Sequence, residues 1–82
     1  MKAVEWTERA LDDMAALDRK VAMRIKEAVE RFAATSLGDV LRLQGSNLAE
    51  YRLRVGDWRV RFGQDAESIH ILRVRHRREA YR

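Results

Sequence analysis

At 82 residues with no cysteine, the chain is expected to form a single domain over residues 1–82 with a modest core, and it excludes a disulfide framework or a cysteine-held zinc cluster. No apolar run reaches the ~18 residues of a spanning helix and no signal-peptide pattern opens the chain, so a soluble, cytoplasmic protein without a membrane partner is expected. The formal net charge is +4, and it is spread unevenly.

Lys2–Trp6 sets Val4 and Trp6 in alternation with Ala3 and Glu5 and reads as a short opening strand. Thr7 is placed to cap a helix whose first turn holds Glu8, favourable at the positive end of the dipole. Ala10, Leu11, Met14, Ala15 and Leu17 recur at helical spacing along it. Asp18 is placed to cap a second helix, where Val21, Ile25, Ala28, Val29 and Phe32 form an apolar stripe. The two make a helical hairpin with its charged groups on the solvent side. Thr35–Gly38 ends it with poor helix formers and a glycine. Val40–Leu43 is either a short strand or an extended connector, and Gly45, Ser46 and Asn47 read as a loop. From Tyr51 onward the chain is read as strand.

Tyr51–Val55 and Trp58–Phe62 both alternate strictly around Gly56-Asp57. That pair reads as a primed two-residue turn, with glycine supplying the positive φ at its first position. Such a turn sets Val55 against Trp58, Leu53 against Val60 and Tyr51 against Phe62, all on a core face toward the helices. The other face then opposes Arg54 to Arg59 and Arg52 to Arg61. Like charges directly opposite cost about 0.2–1 kcal/mol per pair, so a patch of this kind calls for an anion. Ser68–Arg75 supplies a further strand. Leu72 and Val74 suit its core face, Arg73 and Arg75 join the arginine face, and Ile69 and Ile71, which share the parity of those arginines, are expected to pack under the opening strand or line a groove.

Residues 1–50 carry eight basic and nine acidic groups, whereas residues 51–82 carry nine arginines, no lysine and four acids. A basic half points to nucleic acid before membrane. Arginine in place of lysine sharpens this, because the guanidinium fork meets phosphate oxygens bidentately and stacks on bases. The bland alternative is a solvated basic surface.

Cleaving RNA with its own 2′-hydroxyl needs a group to take the hydroxyl proton, charge to steady the phosphorane, and a group to protonate the leaving oxygen. Arginines suit only the second task, since they stay charged. His76 could be the acid or base, and Tyr81 could join it where nearby arginines favour the phenolate. Both sit in the tail His76–Arg82 beside Arg77 and Arg78. Carboxylates occur singly in turns (Asp57, Asp65) or as adjacent Asp12 and Asp13, which diverge on a helix, so a two-metal site is not expected. Trp6, Trp58 and Phe62 have core parity, and His70 reads as a partly buried strand histidine.

The segments EYRLRVGDWRVRF (Glu50–Phe62) and ILRVRHRREAYR (Ile71–Arg82), preceded by the helical hairpin and the LRLQG connector, resemble the RelE branch of the RelE/ParE toxins. The resemblance spans nearly the whole chain. It implies an α+β fold, with the two-helix hairpin on one face of a twisted antiparallel sheet of about four strands, in the order β-α-α-β-β-β. It also implies a toxin of a type II toxin–antitoxin system that cuts mRNA in the ribosomal A site without metal or cofactor, leaving a 2′,3′-cyclic phosphate. A cognate antitoxin would bind it in a hetero-oligomer.

Carried over by position, the resemblance makes Arg52 a phosphate-binding or base residue, Arg59 and Arg77 the arginines that steady the transition state, and Tyr81 a stacking and proton-transfer residue. His76 completes the expected catalytic set, and Arg54, Arg61, Arg73, Arg75 and Arg78 the expected RNA-binding set. Two departures stand out: Glu50 occupies a position where some members carry lysine, and Arg52 replaces another lysine. Two further readings are a ParE-like toxin that poisons DNA gyrase by binding, and a binding module whose catalysis has decayed.

Overall fold

The structure, a computed structural model, describes residues 1–43 and 50–80. The loop expected at Gly45–Asn47, and Tyr81 and Arg82, lie outside the described residues. The elements run β1 (Ala3–Trp6), α1 (Glu8–Ala15), α2 (Arg19–Thr35), β2 (Asp39–Leu43), β3 (Glu50–Val55), β4 (Trp58–Gln64), β5 (Ser68–His76) and α3 (Arg77–Ala80). This is the expected α+β architecture with one strand more. The sheet has five strands in the order β1-β5-β4-β3-β2. Val40–Leu43 falls within β2, a true strand that pairs antiparallel with β3. The opening strand lies parallel to β5, so the sheet is mixed and not wholly antiparallel.

Both helix starts follow from their caps. Thr7 accepts the Ala10 amide at 3.3 Å, and its hydroxyl donates to the Ile71 carbonyl at 2.8 Å. Asp18 accepts the Lys20 amide at 3.2 Å. At the end of α2 the left-handed residue is Ser36 (φ 62), not a glycine. Gly38 has a different task. A Cβ there would come within 2.9 Å of the Leu53 side chain, so the glycine admits the chain close over the core.

The core lies between α2 and the sheet. Ile25, Val29, Phe32 and Ala33 of α2 meet Leu53, Val55, Val60, Phe62, Ile69, Ile71 and Val74, with Ala10 of α1 also buried. Phe62 stacks on Tyr51 with ring centroids 5.4 Å apart and meets Phe32 at 5.3 Å. Full burial of a side chain such as Ile25 or Phe62 stabilises by about 1.5–3 kcal/mol. Leu11 is 53% exposed despite its helical spacing, because α1 buries only its Ala10 side.

The hairpin has the expected register: Val55 faces Trp58, Leu53 faces Val60, Tyr51 faces Phe62, and the arginines oppose each other on the far side. Gly56 takes φ +59, and Asp57 stays out of the positive region. β5 departs from simple alternation. Arg61 pairs with Arg73 but Phe62 with Ile71, which makes Leu72 the extra residue of a bulge. The bulge resets the side-chain parity, so Ile69 and Ile71 are buried together with Val74, while Leu72 is only half-buried. The core position expected for Leu72 is corrected by that one inserted residue, while Ile69 and Ile71 are buried beside the opening strand, as one of their two expected placements had it.

Candidate nucleic-acid interface

Strand pairing lays the arginines out in two rows across four strands. One row runs Asp39, Arg54, Arg59, Arg75, and the next runs Leu41, Arg52, Arg61, Arg73. Both lie on the face away from α2, because their neighbours in each strand are the core residues. Six arginines therefore start from one face of the sheet, as alternation alone had placed them.

Their surroundings are less uniform than the pattern. Arg61 is held by Glu50, so an acid sits among the arginines of the patch. Glu50 precedes Tyr51 and falls on the outer face with Arg52 and Arg54, which made it legible from parity. Arg73 turns off the edge of the sheet to Asp13 of α1, with Nε donating at 2.9 Å and Nη2 at 3.3 Å. The same carboxylate accepts the Val74 amide at 2.9 Å. β1 ends at Trp6, paired with Ile71, so Asp13 satisfies a backbone donor that the edge of β5 would otherwise present unpaired. Burial pushes the Asp13 carboxyl up, but the bonds from Arg73 and the Val74 amide, with the charges of Arg73 and Arg75, hold it below its usual value. Helix spacing carried no signal for this role of Asp13.

Arg59 is the residue at the centre. Only 6% exposed, it is the one charged residue in the buried set among the described residues. Its Nη1 donates to the carbonyls of Gly56 at 2.8 Å and Trp58 at 3.0 Å. Its buried Nε has no partner, and no carboxylate among the described residues pairs with it. A buried guanidinium is costly unless its hydrogens are satisfied. Here the turn fixes one end of it and leaves positive charge uncompensated, the arrangement suited to an incoming anion. Arg54 is exposed beside it and Arg75 half-buried.

The tail is arranged differently from the strands. Arg77 donates its amide to the Asp57 carbonyl at 2.7 Å, and its side chain lies 3.6 Å from the Asp57 carboxylate with both groups well exposed. Arg78 is exposed, and its amide donates to Nδ1 of His76 at 3.3 Å. His76 pairs with Trp58 across the ladder and meets its ring edge-on at 5.2 Å. It also lines a cleft of about 330 Å³ with Asp12, Leu17, Arg75 and Glu79. That cleft sets the imidazole beside Arg75, a member of the first arginine row.

His70 stands apart, half-exposed between Glu5 at 2.8 Å and Asp65 at 3.5 Å. The amides of Glu67 and Ser68 hold the Asp65 carboxyl below its usual value. Among the described residues no group of three His, Asp or Glu side chains is placed to hold a metal ion. None of their helices is long and apolar enough to cross a membrane.

The family model for the ParE toxin of type II toxin–antitoxin systems, parDE, matches residues 4–81. The chain belongs to this toxin family. The toxin's fold is shared with RelE in the archaeal RelE–RelB complex from Pyrococcus horikoshii OT3, at a TM-score of 0.78 and 22% identity over 95% of this chain and 97% of that one. A mutant of YafQ from E. coli gives 0.78 at 13% identity over all of both chains. The YoeB dimer from Staphylococcus aureus gives 0.73 at 20% identity, covering 92% of this toxin and 95% of that chain. Among curated proteins nothing matches the toxin's sequence.

Proposed function

We propose that the toxin is a ribosome-dependent endoribonuclease that cuts mRNA in the A site. The observation that carries this reading is Arg59, a buried cation with an unpartnered Nε, fixed by the Gly56 and Trp58 carbonyls between Arg54 and Arg75. In the reaction the 2′-oxygen attacks the adjacent phosphorus, the bond to the 5′-oxygen breaks, and the products are a 2′,3′-cyclic phosphate and a 5′-hydroxyl. Charge builds on the non-bridging oxygens, where a fixed guanidinium stabilises most. Arg59 fills that role, with Arg52 and exposed Arg77 as further phosphate contacts. Arg54, Arg75 and Arg78 bind the flanking backbone, and Arg61 and Arg73 join them when an anion displaces Glu50 or Asp13.

Proton transfer falls to Tyr81, by the family resemblance. His76 serves as a positioning residue, tying Trp58 to the start of α3. The RelE neighbours from P. horikoshii and Methanococcus jannaschii are complexes with RelB. By analogy the toxin has a cognate antitoxin that lays acids over Arg52, Arg59 and Arg77. A ribosomal substrate places the protein in the cytoplasm.

The name of the matching family favours a second reading, a gyrase poison acting by binding. One experiment separates the two: induce the toxin in cells and map mRNA 5′ ends on translating ribosomes. A-site ends that vanish in Arg59→Ala support the nuclease. Intact mRNA with accumulated gyrase–DNA cleavage complexes overturns it.

A further inference from the structure

The helix side of the sheet carries a second line of cations. Lys20, Arg24, Glu27 and Arg31 of α2 follow at spacings of four, three and four residues, which puts them on one stripe of the helix. All four are exposed. Lys20 and Arg24 stand about 6 Å apart along the axis and Arg24 and Arg31 about 10 Å. Among the described residues no carboxylate forms an ion pair with any of the three cations.

The stripe borders a continuous depression. Toward the N-terminus of α2 a cleft of about 660 Å³ is lined by Arg19, Lys20, Met23 and Arg24, with the carboxylates of Asp18 and Glu27 at its side. Beyond it a groove of about 220 Å³ runs between α2 and Val55, edged by Arg24, Glu27 and Arg31. Arg24 joins the two and lies over the β3–β4 turn. A Cβ on Gly56 would meet its Nη2 at 2.9 Å, so the missing side chain is what lets the guanidinium settle there.

We infer that this stripe is a second RNA-backbone contact, on the side of the sheet opposite the arginine rows. It rests on the ribosomal reading above for the source of its ligand, the ribosomal RNA that surrounds a bound message. A docked peptide helix would need several apolar anchors at helical spacing. On α2 only Met23, 48% exposed, is a large exposed apolar residue. A row of unpaired cations with one apolar residue suits a phosphate chain. With the message on one face and ribosomal RNA on the other, each contact raises the effective concentration of the other.

The test is co-sedimentation of the purified toxin with 30S subunits across a salt series. The variants are Lys20→Gln/Arg24→Gln/Arg31→Gln and the charge-keeping Lys20→Arg/Arg24→Lys/Arg31→Lys, with folding checked by circular dichroism. Three lost phosphate contacts reduce the slope of log affinity against log salt by about 2 to 3. Between 50 and 200 mM salt the wild type should therefore lose about 20- to 40-fold more affinity than the glutamine variant. The charge-keeping variant should follow the wild type. An unchanged affinity and slope in a folded glutamine variant overturns the inference, as does failure of the wild type to bind 30S subunits. Loss of slope without mRNA cleavage by any form supports the contact and overturns the nuclease reading alone.

Discussion

The Asp13 carboxylate receives the Arg73 guanidinium at 2.9 Å across 60 residues of sequence, and it takes the neighbouring Val74 amide with the same oxygen. One side chain of α1 thus closes the edge of β5 and draws an arginine off the outer face. The folded state holds the Asp13 carboxyl below its unfolded value, so its stabilising contribution is present above about pH 4 and lost as pH falls through the folded value. Asp13→Asn keeps an acceptor for the amide but loses the charge. It should cost about 1–2 kcal/mol at pH 7, and urea melts of variant and wild type should converge in acid. A constant difference down to low pH would contradict this account.

Arg59→Ala should lower kcat for cleavage of ribosome-bound mRNA by about 100- to 1,000-fold, the usual loss on removing one charge-stabilising donor. Arg59→Lys should recover little of it, since an ammonium cannot both reach the two turn carbonyls and present a fork to phosphate. Single-turnover kinetics at saturating ribosomes are the measurement, with a thermal melt to show that each variant is folded.

Glu50→Gln releases Arg61 from its ion pair. The expected result is tighter binding of single-stranded RNA, with a salt slope steeper by about 0.7, and a stability change below about 1 kcal/mol because the pair is partly exposed. Weaker RNA binding would mean that Glu50 positions Arg61 for its ligand.

Gly56→Ala forces a Cβ onto φ +59 and into the Arg24 guanidinium. The left-handed backbone alone costs about 1–2 kcal/mol. Adding Arg24→Ala should relieve the contact and leave the backbone cost, so the double variant should be less destabilised than the sum of the two single ones. Equilibrium unfolding of the four proteins in this cycle measures the difference.

The bulge in β5 makes a contrast between neighbours. Ile71→Ala should cost about 2–5 kcal/mol, since Ile71 is 1% exposed in the core. Leu72→Ala should cost under about 1 kcal/mol, because Leu72 is the inserted residue and only half-buried. The reverse order would restore uninterrupted alternation along the strand.

By itself the sequence determined the hairpin register, both N-caps and the face on which the arginines collect. Those features are local: a two-residue turn with glycine first leaves a single alignment, and period-two alternation then assigns every side chain in both strands. The tertiary structure decided which arginines face outward unengaged. A guanidinium on a flexible stem finds the nearest acceptor in space, and for Arg73 that acceptor lies on α1 while for Arg59 it is the backbone of the turn. Tertiary structure also set β1 parallel to β5 and put the bulge at Leu72, because parity counting assumes an unbroken ladder and the pairing partners of β5 are distant in the chain. It also set His76 and Arg75 along one cleft with Asp12 and Leu17, because α1, distant in the chain, packs against β5.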